Sequence, residues 1–116
     1  MNTWGEGVAG EELVVRFLND NGAKVICRNY RLRDAEIDII FKDGDYLVFC
    51  EVKYRKDSRH GLGFDAVTYG KRKKICKAAV KYMYDRNISE TTPVRFDVIS
   101  VLGASIDWIK NAFEYS

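Results

Sequence analysis

The stretch Glu36-Ile37-Asp38-Ile39-Ile40-Phe41-Lys42-Asp43-Gly44-Asp45-Tyr46-Leu47-Val48-Phe49-Cys50-Glu51-Val52-Lys53 carries the reading of the whole chain. Two runs rich in β-branched and aromatic residues flank Asp43-Gly44, a strong two-residue turn signal, and predict an antiparallel hairpin with strands over 35–42 and 45–54. With that turn, Lys42 is expected opposite Asp45, Ile40 opposite Leu47, Asp38 opposite Phe49 and Glu36 opposite Glu51. One face then carries Ile37, Ile39, Phe41, Tyr46, Val48, Cys50 and Val52, and such a row must be buried. The other face is graded: Ile40, Leu47 and Phe49 lie near the turn, and Glu36, Asp38, Glu51 and Lys53 lie further along. A slip of one residue would mix polar and apolar side chains on both faces, so the alternation itself supports this pairing.

The pattern has a chemical consequence. Asp38 and Glu51 become diagonal neighbours, roughly 7 Å apart at the backbone, and two carboxylates at that spacing can converge on one hard cation. Lys53 follows on the same face, where an ammonium group can orient a water and offset charge on a phosphoryl transition state. An incomplete shell of carboxylates, water and phosphate oxygens suits Mg²⁺, or Mn²⁺ in its place. The simpler alternative is a solvated strand face on which Glu51 and Lys53 form ordinary ion pairs. Against it, Leu47-Val48-Phe49-Cys50 is too apolar for an exposed edge strand.

Outward from the hairpin, Ala9, Leu13, Val14, Phe17 and Leu18 recur at helical spacing over about 6–21, with Gly22 as a C-terminal cap. A strand is expected over 24–30, a polar loop over 55–63 and a second helix over about 68–86 through Ile75, Ala79, Tyr82 and Met83. A strand over 94–102 follows the single proline, Pro93, and a short one over 106–109 closes the pattern. The order predicts an α/β fold with an α-β-β-β-α-β core, a mixed central sheet flanked by helices. The 116 residues are 47% hydrophobic, enough for a core of ordinary size, and no linker or repeat divides 1–116, so one domain is expected.

Composition removes several classes of function. No apolar run approaches the roughly 18–20 residues that span a bilayer, and Met1-Asn2-Thr3-Trp4 lacks a basic segment followed by an apolar one. A cytoplasmic protein with no membrane partner is expected. Cys27, Cys50 and Cys76 are odd in number and sit in apolar stretches, which reads as reduced core thiols. A single histidine, His60, excludes a His-based metal cluster. The net charge of +2 says little, so the distribution of charge carries the argument.

Asp38, a gap of twelve residues and then Glu51-Val52-Lys53 resembles the PD-(D/E)xK nuclease superfamily, with Ile37-Asp38 where Pro-Asp often stands. The wider set resembles the YraN-like family of small bacterial proteins over nearly the whole chain. It comprises Gly10-Glu11, Arg28-Asn29-Tyr30-Arg31, Glu36-Ile37-Asp38, Phe49-Cys50-Glu51-Val52-Lys53, Ala66-Val67-Thr68 with Lys71, Arg95-Phe96-Asp97-Val98 and Asn111-Ala112-Phe113. That family is similar in fold to archaeal Holliday-junction resolvases, which are dimeric and cut branched DNA with Mg²⁺. The resemblance implies a restriction-endonuclease-like fold, a homodimer, and a metal-dependent endonuclease acting on DNA, branched or junction DNA included. It implies Asp38, Glu51 and the Val52 carbonyl as metal ligands, Lys53 as the residue that orients the attacking water, and a site glutamate at Glu11, reaching the metal through water. Two rivals stay open: a non-catalytic module of the same fold that binds nucleic-acid structures, and a protein-interaction domain.

Supporting residues divide between function and architecture. Glu11 falls on the flank of the first helix's buried arc beside Gly10, whereas Glu12 points to the polar face with Arg16 and Asn19; Glu11 can lean over the site or simply favour the helix N-terminus. Thr68 and Lys71 open the second helix, either as phosphate contacts or as an N-cap and a snorkelling lysine. Lys73, Lys74, Lys77 and Lys81 form a basic stripe that tracks a nucleic-acid backbone or merely solvates the helix. Arg55, Lys56, Arg59 and His60 follow Lys53 directly and are expected to close over a phosphate. Asp97 and Asp65 read as a strand ion pair and a helix cap.

Overall fold

The computed structural model describes residues 3–55 and 67–115, with side chains from residue 10 onward. Along them run α1 (Thr3–Asp20), β1 (Lys24–Arg31), β2 (Glu36–Asp43), β3 (Tyr46–Arg55), α2 (Tyr69–Asp85), β4 (Val94–Leu102) and β5 (Ser105–Phe113). The strands form one sheet in sequence order, antiparallel except for the parallel pair β3 and β4, which α2 connects. This is the α/β core expected from the sequence, with a fifth strand that is longer than the short 106–109 segment.

Local chemistry sets the helix ends. Gly22, at φ +83°, terminates α1: its N–H donates to the Asn19 carbonyl and that of Ala23 to the Leu18 carbonyl. Asn87, at φ +54°, plays the same part after α2, with its N–H bonded to Tyr84 and that of Ile88 to Met83. Thr68 caps the start of α2 by accepting from the Lys71 N–H at 3.3 Å, so the capping reading of Thr68 is realised.

The sheet buries both faces. Val14 and Leu18 of α1 pack on Ile39, Phe41, Val48, Cys50 and Ile99, while Ile75, Ala78, Ala79 and Tyr82 of α2 pack on Ile40, Leu47, Phe49, Phe96 and Val98. No helix among the described residues is long and apolar enough to cross a membrane.

The hairpin differs from expectation in register. Its turn is Gly44-Asp45, with Gly44 at φ +60° in the first central position, so Asp43 pairs with Tyr46, Lys42 with Leu47 and Ile40 with Phe49. The pairing is displaced by two residues, which leaves every side chain of the regular part on its expected face. One residue does change face. Ile37 packs under α2 with Ile40, and Cys27 and Tyr30 of β1 do so too, although the members of each pair are three positions apart. Regular pleating would send them to opposite sides. Between them lies Asn29 at φ +53°, flanked by the pairs Arg28–Ile39 and Tyr30–Ile37 and therefore across from Asp38. A left-handed residue reverses the alternation there, and Asn adopts that conformation more readily than most.

Candidate functional site

Asp38 lies where the hairpin comes apart. The ladder between β2 and β3 ends at Ile39–Cys50. Beyond it, Asp38 Oδ2 accepts from the Val52 N–H at 2.8 Å, so a side chain takes the place of a backbone carbonyl and the strands diverge. Continued at the same register, the ladder would set Asp38 directly opposite Glu51 rather than diagonal to it. A strand residue turns its N–H and C=O toward the same neighbour, so the Val52 carbonyl faces the same gap.

Glu51 is only 5% exposed and is held among cations. Lys71 of α2 bonds its Oε1, and Lys53 Nζ lies 3.5 Å from the same oxygen. Lys71 thus reaches the centre of the site and does not lie along the helix surface. Burial of Asp38, together with the charge of Glu51 and more weakly that of Glu36, outweighs the Val52 hydrogen bond and pushes the Asp38 carboxyl up to about 7. Burial and the nearby Lys71 hold the Lys53 ammonium below the ordinary lysine range, against the pull of Glu51. Burial also works against the charged form of Lys71, but its bond to Glu51 prevails and its pKa rises.

An open cleft of about 450 Å³ gives access to these groups. Asp38 and Glu51 line it with Glu36 and Asp34 from the β1–β2 side and Thr68, Gly70, Lys71 and Lys74 from the start of α2. Among the described residues no three His, Cys, Asp or Glu side chains group as a metal cage. The donor set still fits one hard cation: two adjacent carboxylates, one of them raised by the other, a carbonyl edge beside them and an open cleft for oxygen ligands from elsewhere.

Other expected site residues are placed elsewhere. Glu11 does not line the cleft; its Oε1 accepts from Asn29 Nδ2 at 3.1 Å and lies 3.9 Å from the Arg28 guanidinium, while Glu12 pairs with Arg28 at 2.7 Å. Glu11 therefore touches the left-handed residue across from Asp38 and is less exposed than Glu12, but it does not lean over the cleft as its flank position led us to expect. In the basic stripe, Lys77 is 3.7 Å from Asp34, Lys81 pairs with Asp85 and Lys73 lies over the Tyr69 ring, leaving Lys74 to face the cleft. Arg55 ends β3, and its Nη2 is buried with no hydrogen-bond partner among the described residues. Lys56, Arg59, His60 and Asp65 lie outside the described residues.

Asp97 is structural, as expected. It is fully buried and accepts from Arg95 through both carboxylate oxygens, from Trp108 Nε1 and from the Asn111 N–H. Arg95 also bonds Asp43 and stacks near the Tyr46 and Trp108 rings, and these bonds raise its pKa further. Sequence reading missed Asn29. For Asn29 the signal was available: an Asn inside a β-rich run, whose propensity is for turns and left-handed backbone.

Comparison with known proteins gives a consistent outcome. The model of the family described as "Uncharacterised protein family UPF0102" matches residues 10–101. A UPF0102 protein of Legionella pneumophila (strain Corby) is 43% identical over 111 residues, covering 94% of this chain and 94% of its own. Relatives from Lachnoclostridium phytofermentans, 40% identical over 98% of this chain and 97% of theirs, and from Clostridioides difficile (strain 630), 44% identical over 97% and 100%, carry the same family name.

Proposed function

We propose, for a chain that belongs to the uncharacterised protein family UPF0102, the activity of a metal-dependent endonuclease of the PD-(D/E)xK type that hydrolyses phosphodiesters in DNA, branched or junction DNA included. The observation that carries this reading is the meeting of Asp38 and Glu51 where β2 and β3 separate, with two lysines at Glu51 and a cleft open to a large substrate. Asp38, Glu51 and the Val52 carbonyl would hold Mg²⁺ or Mn²⁺, which supplies Lewis-acid stabilisation of the phosphate. Lys53, less firmly protonated than an ordinary lysine, orients the attacking water and accepts or shares its proton. Lys71 and Lys74 at the start of α2 hold phosphate oxygens, and the N-terminal end of that helix adds favourable potential. Glu11 acts through Asn29, fixing the backbone across from Asp38.

A second reading has its own support. The Lys71–Glu51 bond already compensates the buried carboxylate without a metal ion, which favours a module that binds nucleic acid without cutting it. One experiment separates the two: purified full-length chain is incubated with duplex, single-stranded, flap and four-way-junction DNA, with and without Mg²⁺ or Mn²⁺, beside Glu51→Gln and Lys53→Ala variants. The nuclease reading expects metal-dependent products from the wild type and none from either variant at unchanged circular dichroism. Binding without products from the wild type selects the second reading, and cleavage by both variants at the wild-type rate overturns the site.

A further inference from the structure

Past Cys50, β3 keeps β4 on one side but has no strand on the other among the described residues: the β2 ladder ends at Cys50, whereas that with β4 runs on to Arg55–Leu102. Residues 51–55 thus form a half-free strand beside the cleft. Along it, Lys53 and Arg55 alternate with Tyr54, which is 53% exposed although it sits on the α1 side of the sheet. Tyr54 is packed in an unusual way. A Cβ at Gly10 would stand 2.6 Å from its Cε1 and 3.4 Å from both Cδ1 and Cζ. The equal distances to both ring neighbours place the contact at the Cε1 corner of the ring, and the residue as a whole stays half exposed. Gly10 is the residue that permits so close an approach.

The other exposed tyrosines differ. Arg95 lies over the Tyr46 ring at 5.2 Å and Lys73 over Tyr69 at 5.1 Å, so each has a face taken by a cation. Tyr84 and Tyr115 line an apolar groove at the other end of α2. Tyr54 has no cation over its ring among the described residues and lies in the fields of Glu11 and Asp38. A ring held at one corner loses little further freedom when a flat group is laid on it.

We infer that Tyr54 is a stacking platform for an unpaired nucleobase, so that the nucleic acid taken by this site carries a single-stranded segment along the free edge of β3. Inside a continuous duplex each base is already stacked on its neighbours, and its π-face is offered to a side chain only after unstacking. The inference rests on the reading of the site as one that acts on nucleic acid.

Binding tests it independently of cleavage. Full-length protein in EDTA is titrated by fluorescence anisotropy with a single-stranded oligonucleotide, and with the same sequence as a blunt duplex. A single-stranded probe containing 2-aminopurine reports stacking directly by quenching. Wild type is expected to prefer the single strand and to quench the probe. Tyr54→Leu, which keeps an apolar filler against Gly10, is expected to lose about tenfold in affinity for the single strand and the quenching, with little change on the duplex. Tyr54→Phe should retain both properties, and Tyr84→Ala, at the far end of α2, should behave as wild type. Equal loss on single strand and duplex, or no loss in Tyr54→Leu, overturns the platform. If duplex is still bound in that case, and is cut once Mg²⁺ replaces EDTA, the nuclease reading survives; absence of any nucleic-acid binding removes both.

Discussion

Replacing Asp38 by Asn should stabilise the metal-free protein at neutral and alkaline pH. The native carboxyl titrates near 7 and an unfolded one near 3.8, because the folded site buries Asp38 beside Glu51. The sign follows from linkage: a raised acid binds its proton more tightly in the native state. Below about pH 4 both states are protonated and the group contributes nothing; as pH rises toward 7 the unfolded chain gains by ionising and the native state does not. At about 1.4 kcal/mol per pKa unit the penalty has a ceiling of about 4 kcal/mol above pH 7. Relaxation of Lys53 and Lys71 toward the new charge reduces it, so about 1–3 kcal/mol is expected. Asn keeps an oxygen to accept from the Val52 N–H, which preserves the divergence of β2 and β3 while removing the charge. In EDTA at pH 8, Asp38→Asn should melt about 5–10 °C above wild type by circular dichroism, and the difference should shrink toward zero near pH 4. Added Mg²⁺ should raise the wild-type melting temperature and leave the variant nearly unmoved, since ligand binding stabilises only the form that holds the ion. A variant less stable than wild type at pH 8 in EDTA, or a difference that does not change between pH 4 and 8, would refute the argument that the two carboxylates burden each other.

Asp97→Asn should cost several kcal/mol, because an amide offers one acceptor oxygen where Arg95, Trp108 and Asn111 now bring donors to two; urea denaturation showing a loss below about 1 kcal/mol would contradict the buried network. Glu11→Ala should reduce metal-dependent cleavage while Glu12→Ala leaves it near wild type, since only the former releases Asn29 across from Asp38. Equal rates for these two variants, compared under single-turnover conditions, would remove Asn29 from the account of the site.

What the sequence made legible was whatever repeats along an element. The spacing of Val14, Phe17 and Leu18 located α1, Gly22 its end, and the alternation of Ile39, Phe41, Val48 and Cys50 the face that α1 covers. Those signals are local or periodic. Lys71 was legible as well, since its wheel position beside Ile75 and Ala79 places it on the inner side of α2. The interruption at Asn29 was legible only in residue type and not in the pattern: one left-handed residue swaps the face of Tyr30, and a reading that counts alternation has no means of registering a single reversal. The contact of Tyr54 with α1 was overlooked for a related reason: it joins Gly10 to a strand more than forty residues away, and no pattern within either segment encodes that distance.

The register of the hairpin shows why the site was found although the pairing was displaced. Asp-Gly is commonly read as the two central turn residues, but here Gly44 takes the first central position and Asp43 returns to the ladder opposite Tyr46. A displacement of two residues is silent to hydrophobic pattern, because the side-chain period of a strand is also two. The alternation therefore fixes which residues share a face and leaves open which stand opposite. Asp38 and Glu51 were on one side under either pairing. The displacement moves Asp38 from a position across from Phe49 to the point beyond the last pair, where its side chain is free to take the Val52 N–H. Had Asp38 remained in the ladder opposite Phe49, β2 would have continued past it to cover Val52, and the carbonyl edge beside the carboxylates would have been spent on a backbone hydrogen bond.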